Sequence, residues 1–282
     1  MKKITRRSFM AAAGLTVAAL ALTACGGSSS TASSAAASSV ASSAAASSEA
    51  ASAAATELTT VEAGKLTMAT NAAFPPYEMT TDAGEFEGID IETAQAIADK
   101  LGLELQIDDM DFDAALLSVQ QGKADIVMAG VTVTDERKAV MDFSDSYATG
   151  IQSIIVPEGS DIASPDDLAG KKIGTQRGTT GYIYCSDDFG DDAVVAYDNG
   201  LTAVQALNNG QVDAVVIDNA PAKEYVAANP GLVILDTNYA EEDYAIGMAK
   251  GSSLEAAVNA ALEELKADGT LQAIVDKYIT AE

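Results

Sequence analysis

Hydrophobic residues change period repeatedly along the chain, and the changes mark out its elements. "KLTMAT" (65–70) alternates like a strand and leads into the loop "NAAFPPYE". In "GIDIETAQAIADKLG" (88–102), Ile91, Ala94, Ile97, Ala98 and Leu101 recur at helical spacing before Gly102 stops the helix. A strand "LELQID" (103–108), a helix "FDAALLSVQQG" (112–122) and a strand "ADIVMA" (124–129) follow. Beyond "DFSDSYATG" the alternation restarts. Strands at 151–156, 171–176, 193–197, 212–218 and 232–236 are interleaved with a short capped helix at 164–170, a helix opening at "TTGYIYC", and helices at 200–210 and 219–229. A last strand is predicted at 244–250, then helices at about 252–267 and 269–279. The first of these two puts Leu254, Ala257, Val258, Ala261, Leu262 and Leu265 on one face. Such alternation predicts an α/β fold with a mostly parallel sheet. "GKADIVMAG" and "GQVDAVVID" echo one another, which suggests two similar lobes. Open α/β sheets bind ligands where their strands end, so two facing lobes would enclose a cleft.

Before residue 58 no such pattern exists. "MKKITRRSFM" is basic, "AAAGLTVAALAL" is apolar but too short to span a bilayer, and "LTAC" ends in Cys25, so the stretch reads as an export signal. A small residue before Cys25 and Gly26–Gly27 after it resemble the lipobox of bacterial lipoproteins. That resemblance implies a cleaved signal peptide at 1–24 and a lipid on the Cys25 sulfur. "TRRSFM" also resembles a twin-arginine signal, but paired arginines are common in such leaders and the export route stays open. Residues 25–57 are almost wholly Ser and Ala, with nothing periodic to bury, and read as a disordered tether.

Composition narrows the function. The chain's 282 residues suit two modest domains. Removing the leader takes four of the 16 basic residues and none of the 42 acidic ones, moving the formal net charge from −26 to −30. Nucleic acid is therefore excluded as a partner, and an anionic membrane surface would repel the folded part, leaving the lipid as its attachment. With no histidine, His-ligated metals and His-based triads are excluded, and no metal or cofactor is expected. Cys185 is the one other cysteine, so no intramolecular disulfide can form if Cys25 is lipidated; Cys185 reads as a small buried side chain.

Four strand-end loops carry the candidate chemistry. The first offers Asn71, Phe74 and Tyr77 among stiff prolines; the second Gly130, Thr132 and Arg137; the third Gln176, Thr179 and Thr180; the fourth Asp218. Arg137 presents a planar fork that fits a carboxylate, and Thr132 with nearby amides can fill the remaining lone pairs. Asp218 can accept from an ammonium. Together the two describe a receptor for a free α-amino acid. Each residue also has a plainer reading: a surface ion pair of Arg137 with Asp142 or Asp145, helix N-caps for Asp218 and Thr179, and core positions for Phe74 and Phe112. "RGTTG" lacks the Lys-Ser/Thr ending of a phosphate loop.

Seven stretches together, "ATNAAFPPYE" (69–78), "GIDIETAQAIADKLG" (88–102), "MDFDAAL" (110–116), "MAGVTVTDERKAVMDFSDSY" (128–147), "DDLAGKKIGTQRGTTG" (166–181), "VDAVVIDNAPA" (212–222) and "LKADGT" (265–270), resemble the extracellular solute-binding proteins of polar amino-acid ABC transporters, solute-binding family three. The match runs over about residues 62 to 280. The resemblance implies a two-lobed, type II periplasmic-binding-protein-like fold: two α/β lobes joined by two crossover hinge strands, near Tyr147–Gln152 and Glu242–Met248. The expected division is 58–149 with 247–282 in one lobe and 150–246 in the other, closing by hinge motion. By the same resemblance, Arg137 would hold the ligand α-carboxylate with Thr132, Gly130, Thr179 and Thr180. Asp218 would hold the ammonium, with the Ala129 carbonyl as a second acceptor. Phe74 and Phe112 would sandwich the side chain, whose far end meets Asn71 and Gln176. Relatives for basic amino acids usually carry an acid where this chain has Asn71, and Ala129–Gly130 is closer to the glutamine-type pattern, so the expected ligand is neutral and polar, such as glutamine. Arg177 reads as a solvated loop charge. The expected partners are the free amino acid, the permease subunits of an ABC importer and, through Cys25, the membrane, with the protein a monomer on the extracytoplasmic face. A binding protein and not an enzyme is expected. A dehydratase-like enzyme, which would need a general acid in the cleft, and a stand-alone amino-acid sensor are the rival readings.

Overall fold

A computed structural model describes residues 58–279. The expected leader, the lipidated Cys25 and the Ser/Ala tether lie outside the described residues. The first lobe opens with β1 (Lys65–Thr70), a small antiparallel sheet of β2 (Ala73–Phe74), β3 (Glu78–Thr80) and β4 (Phe86–Glu87), and helix α1 (Ile89–Leu101). β5 (Glu104–Asp109), α2 (Phe112–Gln120), β6 (Ile126–Val127), α3 (Asp135–Val140) and β7 (Met141–Phe143) follow. The second lobe comprises β8 (Ala148–Pro157), a 3-10 turn at Pro165–Leu168, β9 (Ile173–Gln176), α4 (Thr180–Phe189), β10 (Val194–Tyr197), α5 (Gly200–Asn208), β11 (Ala214–Asp218), α6 (Asn219–Ala228), β12 (Leu232–Ile234) and β13 (Ala240–Tyr244). The chain then returns to the first lobe with β14 (Gly247–Ala249), α7 (Glu255–Ala267) and α8 (Thr270–Tyr278).

The first sheet has the order β5-β1-β6-β14-β7, and the second contains β10-β9-β11-β8-β12 with β13 also on β8. Both are mixed, which corrects the expectation of mostly parallel pairing. β5-β1-β6 and β10-β9-β11 are parallel, but β14 runs antiparallel to β6 and β7, and β8 antiparallel to β11, β12 and β13. The antiparallel strands are those through which the chain enters or leaves a lobe. Strand–helix alternation dictates parallel neighbours only within a lobe.

Alternating strand residues feed opposite faces, and both faces are covered. Met68, Ile126 and Met248 pack with α1, α7 and α8, whereas Ala69 and Val127 pack with α2. In the second lobe Ile155, Val215 and Ile217 pack with α5 and α6, and Ile154, Val156 and Val216 pack on the α4 side with buried Cys185. Fully burying one such aliphatic side chain stabilises the fold by about 2 kcal/mol, so these four clusters dominate the packing energy. The helix faces read from spacing are the buried ones: Ile91, Ala94, Ile97 and Ala98 in α1, and Val258, Ala261, Leu262 and Leu265 in α7.

Two short passages join the lobes, Ser144–Tyr147 and Ala245–Ile246, and they are bonded to each other. The Ser144 amide donates to the Ile246 carbonyl at 2.9 Å, the Ile246 amide to Ser144 Oγ at 2.9 Å, and the Tyr147 amide to the Tyr244 carbonyl at 2.9 Å. The single strand expected at 244–250 is thus divided, Tyr244 ending one sheet and Gly247 beginning the other.

Candidate functional site

The parallel strands β1, β6, β9 and β11 end between the lobes, and the loops that follow them meet there. Asn71, Phe74, Phe112, Ala129, Gly130, Thr132, Arg137, Gln176, Thr179, Thr180 and Asp218 all line one cavity. The expected binding set is therefore brought together, while Tyr77 of the first loop lines a neighbouring cavity instead. Arg177 is apart, half-exposed, 3.8 Å from Asp198.

Arg137 sits in α3, whose N-cap Thr134 accepts from the Arg137 amide at 3.1 Å. The helix turns the side chain inward, where it is 8% exposed. Its Nη1 donates to the Thr132 carbonyl at 2.7 Å and its Nη2 to the Gly178 carbonyl of the other lobe at 3.2 Å. Its guanidinium carbon lies 5.4 Å from the centre of the Phe112 ring. Asp142 is taken by Lys250 at 2.7 Å, and no carboxylate among the described residues pairs with Arg137. Burial lowers its affinity for a proton, with Glu242 partly opposing. A desolvated guanidinium bonded to neutral carbonyls keeps its charge and can bind an anion.

Asp218 takes its plainer reading, the helix N-cap, and also lines the cavity. It caps α6, its Oδ1 accepting from the Ala220 amide at 2.9 Å, while its Oδ2 accepts from the Ile151 amide at 2.8 Å and the Tyr244 hydroxyl at 3.0 Å. Burial raises its pKa to about 6 although these bonds oppose the shift, so the site disfavours the bare charge and favours a cationic partner. Thr179 likewise caps α4 and lines the cavity.

Cross-lobe hydrogen bonds hold the cleft shut. Asn71 Oδ1 accepts from Gln176 Nε2 at 2.8 Å, the Thr132 and Thr180 hydroxyls stand 3.4 Å apart, and the Tyr225 hydroxyl of α6 donates to the Ala73 carbonyl at 2.7 Å. Gly130 adopts φ +54°, and a Cβ there would stand 2.9 Å from Phe74 Cε1, so a side chain at this point is excluded by both backbone and ring.

Sequence reasoning missed Glu78, Gln152, Val216, Ile217 and Tyr244, which line the same cavity. It also missed Glu242, whose Oε2 accepts from the Thr132 hydroxyl at 3.0 Å and from Gln152 Nε2 at 3.0 Å. Gln152, Glu242 and Tyr244 lie on or beside the two lobe connections. Residues 131–133 pair antiparallel with 243–245 and bring Glu242 against Thr132. Their signal was polarity inside an expected crossover segment.

This chain matches the "Bacterial extracellular solute-binding proteins, family 3" over residues 66–281. It is similar to a probable histidine-binding protein of Neisseria gonorrhoeae, 33% identical over 279 residues, covering 96% of this chain and 95% of that one. It is also similar to the L-cystine-binding protein TcyJ of Escherichia coli K12, 33% identical over 226 residues, covering 78% and 85%. Among solved structures it superimposes on the arginine-, lysine-, histidine-binding protein ArtJ of Geobacillus stearothermophilus with a TM-score of 0.74, at 35% identity, covering 77% of this chain and 96% of that one. With a two-lobed α/β fold, a cleft built from strand ends and this match across its folded length, the chain belongs to the bacterial extracellular solute-binding proteins of family 3.

Proposed function

We propose that this protein is the substrate-binding component of an ABC importer for a polar amino acid. The observation that carries the reading is the pairing, in one inter-lobe cavity, of a buried guanidinium without a counterion and a buried carboxylate that disfavours its own charge. A zwitterion satisfies both: its α-carboxylate bridges the Arg137 fork, aided by Thr132, Gly130, Thr179 and Thr180, and its ammonium meets Asp218 and the Ala129 carbonyl. Phe74 and Phe112 flank the side chain. Closure then excludes water from both ion pairs, which strengthens them. The lobe divisions 58–149 with 247–282 and 150–246 are the bodies that close. A lipid on Cys25 holds the protein at the extracytoplasmic face, where as a monomer it delivers its ligand to a permease.

For the ligand's side chain, the Asn71–Gln176 amide pair supports a neutral polar group such as the amide of glutamine. A second reading, a cationic side chain, is favoured by the buried carboxyl of Asp218 at the cavity and that of Glu242, bonded to the cavity-lining Thr132 and Gln152, and relatives are named for histidine and for arginine. A thermal-shift screen across the free amino acids tests the function. A tight ligand stabilises the native protein in proportion to its excess over Kd. A melting rise with one or a few polar amino acids is expected. No rise with any of them, or consumption of a prephenate-like acid, would refute the reading.

A further inference from the structure

Glu78 and Asp90 are both fully buried in the first lobe, and their side chains are in hydrogen-bond contact. Asp90 spends one oxygen on two donors: its Oδ2 accepts from the Gly130 amide at 3.0 Å and from the Tyr147 hydroxyl at 2.8 Å. Its Oδ1 and both oxygens of Glu78 have no nitrogen or hydroxyl donor. What they face is each other. Asp109 of β5 and Asp218 of β11 add negative charge around Glu78, and the remaining titratable neighbours are Tyr77, Tyr147 and Tyr225, all kept neutral by burial. Among the described residues no cation faces the pair. Two touching carboxylates in a water-excluded site cannot both ionise, whereas one carboxylic acid donating to one carboxylate forms a short, charge-assisted bond.

We propose that Glu78 and Asp90 share a single proton, held on Glu78, and that this carboxyl pair positions the Gly130 amide at the amino-acid cleft. The positioning half rests on the amino-acid reading above; the shared proton does not. The pair connects three parts of the machinery through one side chain: the cleft wall, lined by Glu78; the end of β6, through Gly130; and the lobe connection, through Tyr147. Asp90 keeps its charge, and so its hold on the Gly130 amide, because Glu78 donates to its other oxygen. Both are positioning residues.

The test begins with ligand-free wild-type protein labelled with carbon-13 at side-chain carboxyls. Glu78 should give the carboxyl resonance of a carboxylic acid at pH 7, a pH well above the range in which an ordinary glutamate keeps its proton. A carboxylate shift for Glu78 at that pH overturns the proposal. Glu78→Gln, whose amide donates in place of the acid, should leave the Gly130 amide proton shift of the ligand-free protein unchanged and bind L-arginine or L-glutamine more tightly than Glu78→Leu does. Glu78→Leu, which supplies no donor, should move the Gly130 shift and weaken binding about tenfold or more. Equal behaviour of the Gln and Leu variants refutes the positioning role. If wild type binds neither amino acid, the amino-acid reading fails on its own, and the carboxyl and Gly130 shifts still decide the pair.

Discussion

Arg137 is held in place by three contacts that sacrifice none of its charge: two backbone carbonyls and the face of Phe112. Its burial is costly without an anion, so most of its value is realised only when a carboxylate arrives. Arg137→Ala should therefore weaken amino-acid binding by about 3 kcal/mol, a loss on the order of 100-fold, while leaving the melting temperature of the free protein nearly unchanged. Arg137→Lys should rescue little, since a point charge cannot reproduce the planar fork. Calorimetric titration with scanning calorimetry checks both, and unchanged affinity in the Ala variant would remove the assignment. On the proposed reading, Asp218 should make binding pH-dependent. Its pKa near 6 in the free protein means that below pH 6 it is protonated and cannot receive an ammonium charge, so affinity should fall as the pH drops from 7 to 5. Asp218→Asn should bind weakly at pH 7 and lose most of that dependence. From local sequence, Arg137 and Asp142 were an equally plausible ion pair; the fold gives Asp142 to Lys250 instead. Five residues of separation do not fix which way a side chain turns.

Three short helices aim the polar groups, and each begins at a cap that the sequence displays. Thr134 caps α3, Thr179 caps α4 and Asp218 caps α6. α3 has six residues and depends heavily on its first turn. Thr134→Ala removes the acceptor for the Arg137 amide itself, so it should cost about 1 kcal/mol of stability. Affinity should fall as well, because fraying displaces the guanidinium; urea unfolding with calorimetric titration separates the two, and unaltered affinity would mean that packing alone positions the arginine. The long amphipathic helices were legible because their buried faces follow helical spacing over several turns. β13, "AEEDY", was not, since its inward residues are the polar Glu242, bonded to Thr132 and Gln152, and Tyr244, which lines the cleft as well as packing in the core. Functional demands there break the hydrophobic pattern on which sequence reading relies.

At the scale of the molecule, closure and stability respond oppositely to acid. Burial raises both Asp90 and Asp218 to about 6, so the folded protein binds protons that the unfolded chain releases above its ordinary value of 3.8. That contribution is complete below the ordinary value and is lost as the pH rises through about 6. From these two carboxyls the ligand-free protein should thus be more stable at pH 5 than at pH 7 by roughly 2 kcal/mol, and Glu78, which burial holds well above its ordinary value of 4.5, adds to the same sign, even as ligand affinity declines over the same range. Surface carboxylates such as Asp142, Asp161 and Asp167 are held below 3.8 and titrate outside that window. Scanning calorimetry of the free protein at both values checks the sign, and greater stability at pH 7 would contradict it. Closure itself draws on contacts far from the ligand ends. Tyr225→Phe deletes the hydrogen bond to the Ala73 carbonyl across the lobes and should speed ligand release about fivefold with little change in association. Stopped-flow kinetics would show otherwise if the latch were idle.

The sequence by itself determined the α/β class, the helix faces, the N-cap alternatives at Thr179 and Asp218, the exclusion of histidine chemistry and the strand-end residues that line the cavity, because each follows from spacing or residue type along one segment. Only the tertiary structure decided that Glu78 meets Asp90, that Gln152 and Tyr244 complete the cavity with Glu242 bonded to its Thr132, that the sheets are mixed and that 244–250 is divided between them. Those outcomes depend on which segments, distant along the chain, share a face or an edge. Spacing within a segment carries no record of that.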